Sequence, residues 1–167
     1  VDPAGNISGW SSYQYDYQED TKQHKAIIVA GSESGSESAM WKATETVATY
    51  AYEALEYQGY SKDTIHLLSA YTDIDLDGNG TFDDVDGDAT NSNLEPAITT
   101  WANDADDLVV FLVGRGTVNG YTMSASEELS PADLDAWLDQ LQLILPGKVY
   151  VVIDTDYSGS FLPFLSV

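Results

Sequence analysis

Apolar runs and amphipathic stretches alternate along the chain from residue 25 onward. Four short apolar runs are typical of strands that lie buried in a parallel sheet. Between them, apolar residues recur at the three- to four-residue spacing of helices that bury one face. The predicted strands lie at 26–30, 64–68, 108–113 and 149–153, and the predicted helices lie around 44–55, 94–101 and 134–141.

Strands that alternate with helices predict one α/β domain over residues 25–167, a three-layer sandwich around a mainly parallel sheet. The length of 167 residues suits a single hydrophobic core. In such sheets ligands bind at the carboxyl ends of the strands, which here are the loops after Ala30, Val113 and Ile153. The segment 120–129 is predicted to form a small hairpin or an irregular excursion.

The first 24 residues form a polar, aromatic arm ahead of the first strand. Tyr13, Tyr15 and Tyr17 alternate with polar residues, which is the period of a strand with one aromatic face. Two interpretations are open. The arm packs on its own domain, or it packs on a neighbouring molecule.

The formal net charge is −22, from 28 acidic and 6 basic residues. Such a surface repels phosphate backbones and anionic membranes, so nucleic-acid binding is excluded as a function. No apolar run approaches the length of a membrane span. The charge has two explanations, a salt-solvated surface or bound divalent cations, and the clustering of the acids favours the cations.

The composition narrows the chemistry and the location. The chain has no cysteine, which excludes disulfides, thiolate metal sites and a thiol nucleophile. It is rich in Tyr, Ser, Thr and Asn and has few Lys residues, which favours an extracellular or cell-surface location. Two sequons, beginning at Asn6 and Asn79, permit glycosylation there.

Carboxylates recur at every second position in the loop after the second strand. The spacing of Asp73, Asp75 and Asp77, followed by Gly78, matches the first, third, fifth and sixth positions of an EF-hand calcium loop. A hard cation needs such a ring of oxygens, and the carboxylates repel one another without it. The sequence therefore predicts a Ca²⁺ loop at 73–88, inserted into the α/β domain. The candidate ligands are Asp73, Asp75, Asp77, Asn79, Thr81, Asp84, Asp86 and Asp88.

Three segments at the ends of predicted strands carry a family pattern. They are KAIIVAGS at 25–32, LVGRGT at 112–117 and VVIDTDYSGSF at 151–161. In order and spacing they resemble the legumain-like cysteine peptidases of the caspase–haemoglobinase fold. The resemblance implies that fold for the chain after residue 23. It also implies a catalytic His after the third strand and a catalytic Cys after the fourth.

The chain departs from that pattern at both catalytic positions. Arg115 stands where the family has its His, and Asp156 stands where the family has its Cys. A guanidinium stays protonated and cannot act as a general base, and a carboxylate without a base is a poor nucleophile toward an amide. We therefore expect a domain that is not a peptidase, in which Arg115 and Asp156 form a salt bridge across the former cleft.

The family has further strands beyond the fourth, which this chain does not provide. We expect a sheet that lacks its usual last strands, so that its fourth predicted strand is an open edge. An open edge invites strand addition, and the aromatic arm is a candidate donor. Head-to-tail donation between identical chains builds a filament. The favoured function is therefore a structural, self-associating domain that is catalytically inactive.

Two other functions stay open at this stage. The chain can be one piece of a larger or processed legumain-like peptidase, with the missing strands elsewhere. Asp154 and Asp156 also imitate the Asp-x-Asp motif of phosphatases, in which the first Asp attacks phosphorus and the second handles the proton. The strongly negative field of the chain opposes phosphate binding and makes this alternative the weaker one.

Overall fold

The computed structural model describes residues 22–165, so the arm residues Tyr13, Tyr15 and Tyr17 lie outside the described residues. The described part of the chain forms eight strands and four helices. The strands are β1 (His24–Ala30), β2 (Ile65–Ser69), β3 (Gly87–Asp88), β4 (Asp107–Val113), β5 (Gly116–Thr117), β6 (Gly120–Ser124), β7 (Glu127–Leu129) and β8 (Val149–Asp154). The helices are α1 (Ala39–Tyr57), α2 (Asn91–Thr99), α3 (Pro131–Gln142) and α4 (Leu162–Leu165).

Five strands form one parallel sheet in the order β3-β2-β1-β4-β8. β1 is the central strand, since Ile27 pairs in register with His66 of β2 on one side and with Val110 of β4 on the other. Parallel neighbours cannot be joined by tight turns, and here helices α1, α2 and α3 lie in the connections. The prediction of an α/β domain around a mainly parallel sheet is confirmed.

Helices cover both faces of the sheet, as in a three-layer sandwich. Alternate residues of β1 point to opposite faces, so Ile28 packs in the core under α1 while Ile27 packs in the core under α2 and α3. Trp41 and Tyr52 are buried on the α1 side, and Leu138 is buried on the other. β1 is therefore apolar at every position from 26 to 30 because both of its faces are buried.

The helices begin at residues that satisfy their first amide groups. The Ser38 side chain accepts a hydrogen bond from the Trp41 amide at the start of α1. Ser130 accepts from the Asp133 amide, and Pro131 is the first residue of α3, as the sequence predicts. α2 begins at residue 91, so Pro96 lies in its second turn.

A second, antiparallel sheet of three short strands, β5-β6-β7, forms where a hairpin or an irregular excursion was expected. Its central strand β6 is buried, and the Tyr121 ring and the Met123 side chain belong to the core under α2 and α3. The small sheet therefore lies against the carboxyl ends of β1 and β4. It closes one side of the cleft where ligands bind in many parallel sheets.

β8 is an edge of the five-stranded sheet, and among residues 22–165 it pairs only with β4. Its side chains alternate between half-buried and exposed. Val149, Val151 and Ile153 pack against the core under α3, whereas Tyr150 and Val152 are 51% and 44% exposed. The open edge expected at the fourth predicted strand is present in the described part of the chain.

Candidate metal centre and strand-end cleft

The acidic loop runs from the end of β2 to β3. The apolar side chains near its start are buried in the core and alternate with acidic side chains that face solvent. Ile74 and Leu76 point inward and are buried in the core under α1. The intervening Asp75 therefore points outward, together with Asp77. One oxygen each of Asp75, Asp77 and Asp84 lies within 4.8 Å of the others. The fold thus brings three of the predicted ligands to one point.

The loop wraps around the carboxylate of Asp75. Its Oδ1 accepts a hydrogen bond from the Asn79 amide (3.0 Å) and its Oδ2 accepts one from the Gly80 amide (2.8 Å). Gly78 and Gly80 have φ values of 69° and 85°, the left-handed region that permits this tight turn. The first carboxylate that organises the turn is therefore Asp75, whereas the sequence placed Asp73 in that role.

Asp84 provides the buried wall of the acidic cluster. Asp84 is only 4% exposed, and its Oδ2 accepts a hydrogen bond from the Leu76 amide at 2.7 Å. Its Oδ1 is buried and accepts no hydrogen bond. The Lys62 Nζ lies 3.0 Å from that oxygen as an ion-pair partner without hydrogen-bond geometry. The Lys62 ammonium is thus the positive charge that offsets the burial of this oxygen, and a divalent cation in the cluster would act on the same carboxylate.

Lys62 lies in a 3-10 turn between α1 and β2, and it faces the acidic cluster. Its Nζ is 2.9 Å from Oδ2 of Asp83. Interactions with Asp83 and Asp84 raise the pKa of Lys62, and the ammonium lowers the pKa of Asp83. The cluster therefore already contains one positive charge that belongs to the protein.

The negative charges of the acidic cluster affect the ionisation of a tyrosine in helix α1. Tyr52 of α1 is buried, and burial is the main cause that raises its pKa to about 12. The negative charges of Glu56, Asp84 and Asp77 add to that increase. The acidic loop and α1 are thus electrostatically linked, which makes Tyr52 a natural reporter for a cation bound nearby.

The other predicted ligands have different surroundings. The Asp86 carboxylate accepts the Leu67 amide (2.8 Å) and faces His66, so it caps the edge of β2. Asp88 belongs to β3, and Asp73 is exposed outside the cluster of three. The Thr81 hydroxyl bonds the Asn79 side chain and Asp83. Asn79 and Thr81 therefore shape the turn rather than joining the carboxylate cluster.

The donor set defines what the cluster can hold. It consists of carboxylate oxygens, with no thiol in the chain, and both histidines lie elsewhere in the fold. Hard divalent cations prefer such oxygens, and Ca²⁺ tolerates a variable coordination number and geometry. The buried Oδ1 of Asp84 accepts no hydrogen bond and has the Lys62 ammonium at 3.0 Å, so this carboxylate is balanced by positive charge, as a cation site requires. The geometry is specific to no one divalent ion.

Glycines shape the cleft at the carboxyl ends of β1, β4 and β8. Gly114 has φ +145°, and a Cβ placed on it would lie 2.5 Å from the carbonyl oxygen of Gly31. A Cβ on Gly116 would collide with the backbone oxygen of Asp156. Only glycine permits these close backbone approaches. Packing therefore requires glycine at positions 114 and 116 of this chain.

The tyrosine of the second sheet ties these strand ends together. The buried Tyr121 hydroxyl accepts a hydrogen bond from the Gly31 amide at 2.8 Å. It also lies 2.8 Å from the Val29 carbonyl oxygen and 2.9 Å from that of Val113. Burial raises the pKa of Tyr121, so it stays protonated and acts as a structural link.

The expected salt bridge between Arg115 and Asp156 is not formed. Arg115 Nη1 pairs with Oε1 of Glu33, which lies in the loop after β1. Asp156 is exposed, and it precedes Tyr157, whose φ of 56° turns the chain away from β8. The sequence could not indicate Glu33 as the partner, because it lies 82 residues from Arg115 in a different loop.

Among residues 22–165, neither histidine lies at the strand ends that form the cleft. The two histidines of the chain lie in β1 and β2, where His24 begins its strand and His66 pairs beside Ile27. Asp154 ends β8 in register with Val113, and its side chain is exposed, as is that of Asp156. These carboxylates have no base or basic side chain bonded to them among the described residues.

The chain matches no model of a known protein family and no curated protein sequence. The resemblance to legumain-like peptidases therefore stays a prediction from the three segments. Among residues 22–165, no helix combines the length and the apolar character needed to cross a bilayer.

Proposed function

We propose that this chain is a catalytically inactive, legumain-like domain that binds Ca²⁺ and functions by self-association outside the cell. The observation that carries the proposal is the open edge of β8, which among residues 22–165 pairs only with β4 and has Tyr150 and Val152 exposed. An exposed apolar edge is a template for another strand, and proteins that stay monomeric usually protect such edges. β8 has neither a proline nor a lysine to block pairing.

The strand-end cleft supports the inactive half of the proposal. Arg115 is engaged with Glu33, and a guanidinium has no acceptor with which to act as a general base. Asp156 has no base beside it to support attack on an amide. The cleft thus retains Gly116 of the peptidase pattern without the His and Cys that would perform its chemistry.

The backbone of β8 offers a regular set of free groups. The Lys148 carbonyl accepts the Leu108 amide, and the Asp154 carbonyl accepts the Gly114 amide. In a parallel strand, alternate residues direct both backbone groups to the same neighbour. The even-numbered residues of β8 therefore face β4. The amide and carbonyl groups of Val149, Val151 and Ile153 face outward, away from the sheet.

A groove beside this edge suits tyrosine side chains. It lies between α3, β8 and α4 and has a volume of about 400 Å³. Its walls combine apolar side chains with carboxylate and amide groups, so a ring can contact the apolar residues while its hydroxyl donates to a carboxylate. The apolar lining is Leu138, Val149, Val151, Phe164 and Leu165, and the polar lining is Asp135, Asp139 and Gln142.

The occupant that we propose is segment 11–18 of a second copy, with Tyr13, Tyr15 and Tyr17 on the groove side. Residues two apart on a strand lie roughly 6.6 Å apart on one face, so a regular strand could present all three rings. Segment 11–18 carries only one acid, whereas the groove is rimmed by Asp135 and Asp139. Pairing with this segment avoids the charge repulsion that two β8 edges would meet.

The position of Lys22 is compatible with donation of the arm to a second copy. Lys22 pairs with Asp107 at the start of β4, and Asp107 also accepts the Lys148 amide just before β8. Lys22 therefore connects the preceding residues to the domain near the entrance to β8. A fully extended segment of 21 residues, the length of 1–21, spans up to roughly 70 Å, which is enough to reach a neighbouring domain. Repeated donation in one direction gives an open chain of subunits.

The experiment compares the chain 1–167 with a variant in which Tyr13, Tyr15 and Tyr17 are all replaced by Ser. We expect the mass of the wild type, measured by light scattering after size exclusion, to rise with concentration, and the variant to stay monomeric. A matched control replaces Tyr50 and Tyr57, which are exposed on α1, by Ser. The control should assemble like the wild type. Electron microscopy would show whether the assemblies are filaments.

Two results would contradict the proposal. One is a wild-type monomer at every concentration, with or without a chelator, which would mean that the arm serves its own domain. The other is assembly of the triple variant at the wild-type concentration, which would remove the arm from the contact. Cleavage of Asn- or Asp-containing peptides that is lost with Asp156→Asn would overturn the inactive assignment.

A further inference from the structure

The carboxylate of Asp84 belongs to two arrangements at once. It is one of the three carboxylates that meet with Asp75 and Asp77. It is also 3.0 Å from the Nζ of Lys62 through the buried Oδ1, which accepts no hydrogen bond. A divalent cation in the cluster and the ammonium of Lys62 would therefore act on the same buried group.

Lys62 is well placed to stay near the cluster with or without a divalent cation. Its Nζ is also 2.9 Å from the Asp83 carboxylate, which is exposed to solvent. If the ammonium moves away from Asp84, it can retain the Asp83 partner at little desolvation cost. Four of the other basic side chains pair elsewhere in the fold, namely Lys22, Lys25, Lys42 and Arg115.

We infer that Lys62 is a tethered competitor of the divalent cation and sets the affinity of the cluster. Its charge offsets part of the repulsion among the carboxylates when no metal is bound. The same charge repels an incoming divalent cation a few ångströms away, so binding requires that Lys62 give up its contact with Asp84. This inference rests on the proposed Ca²⁺ binding and adds the residue that tunes it.

Two opposite effects follow from removal of this charge. Lys62→Gln should bind Ca²⁺ about tenfold more tightly, because the repelling ammonium is gone. The same variant should melt at a lower temperature in chelator, because Asp84 then has no cation beside it. A lysine that only supported the local structure would lower both the stability and the affinity, so the two measurements together separate the roles.

The experiment measures Ca²⁺ binding to the chain 1–167 by isothermal titration calorimetry and melting temperatures with and without EDTA. Lys42→Gln is the matched control, since it removes the same charge from an exposed pair with Glu37 on α1. The control should leave the affinity within twofold of the wild type. Lys62→Arg, which retains the charge, should also resemble the wild type.

The outcomes separate this inference from the proposal beneath it. Tighter binding by Lys62→Gln alone supports the competition. Equal or weaker binding by Lys62→Gln, with clear binding by the wild type, overturns the competition and leaves the calcium site in place. If neither the wild type nor Lys62→Gln gives a heat of binding, and Ca²⁺ does not change the melting temperature of either, the calcium site itself is refuted and this inference with it.

Discussion

Arg115 pairs with Glu33 across the mouth of the cleft, at the position where a peptidase of the resembling family would carry its catalytic histidine. Both side chains are about half exposed. The pair therefore joins two surface loops, one after β1 and one after β4, and leaves Asp156 without a counter-charge. We expect the close-packed glycines and Tyr121 to stabilise the cleft more than these charges do.

We predict that Arg115→Ala lowers the free energy of unfolding by less than ~1 kcal/mol, because exposed ion pairs contribute little. Glu33→Gln should have an effect of the same size. Asp156→Asn should leave stability unchanged, since its carboxylate makes no ion pair with any of residues 22–165. Urea unfolding of the three variants checks this, and a loss of several kcal/mol in Asp156→Asn would mean that the expected Arg115–Asp156 bridge forms after all.

Replacement of Gly114 by Ala should destabilise the domain by at least ~2 kcal/mol. The backbone there has φ +145°, and a Cβ would meet the Gly31 carbonyl oxygen. Gly35→Ala is the matched control, because no atom lies within 4 Å of its Cβ position, and it should change stability by less than ~0.5 kcal/mol. Similar costs for the two variants, measured by thermal unfolding, would speak against a strained strand end.

The position of the first calcium ligand can be tested with one pair of variants. Asp75→Asn should weaken Ca²⁺ binding by about tenfold or more, since Asp75 is the centre of the turn and a member of the cluster. Asp73→Asn should have a much smaller effect. Addition of EDTA to the wild type should lower its melting temperature by the linkage between binding and folding. A larger effect of Asp73→Asn in calorimetry would restore the ligand assignment made from the sequence.

His66 should make the stability depend on pH. Burial lowers its pKa below the ordinary 6.5, while Asp86 partly opposes that shift. Between pH 6.5 and the lower folded pKa, the unfolded chain binds more protons than the folded one. This stabilising contribution is complete above pH 6.5 and is lost as the pH falls toward the folded pKa.

Urea unfolding at pH 7.5, 6.5 and 5.5 would measure that loss. His66→Gln should lack the part of the decline that His66 causes, while the decline due to carboxylates remains. The chemical shift of the His66 ring in a pH titration provides an independent value of its pKa. An identical decline in the wild type and the variant would show that His66 makes no contribution.

The parallel sheet was predictable from the sequence because its inner strands are buried on both faces. The run from Ala26 to Ala30 has no polar position, and such a run has few structural alternatives. β3 could not be predicted, since Gly87–Asp88 is only two residues long and has no apolar pattern. Its place beside β2 depends on the Asp86 carboxylate, which bonds the Leu67 amide from a distant part of the chain.

The candidate site was predictable in its residue types and less so in its contacts. Alternating aspartates indicate oxygen ligands, and three of those predicted meet in the fold. The choice between Asp73 and Asp75 depends on which amides the turn presents, and the spacing of acids cannot show that. The Lys62 contact was missed because Lys62 lies before β2, and side-chain pairs across loops leave no local signal in a sequence.

The central position of β1 has a mechanical consequence. In an assembly joined through the arm, a pulling force on one subunit enters at Lys22, directly before β1. That strand has five register pairs with β2 and seven with β4, so the load would shear two ladders of hydrogen bonds at once. A tether attached to the middle of a sheet resists extension better than one attached at its rim, where a single ladder can be peeled apart bond by bond.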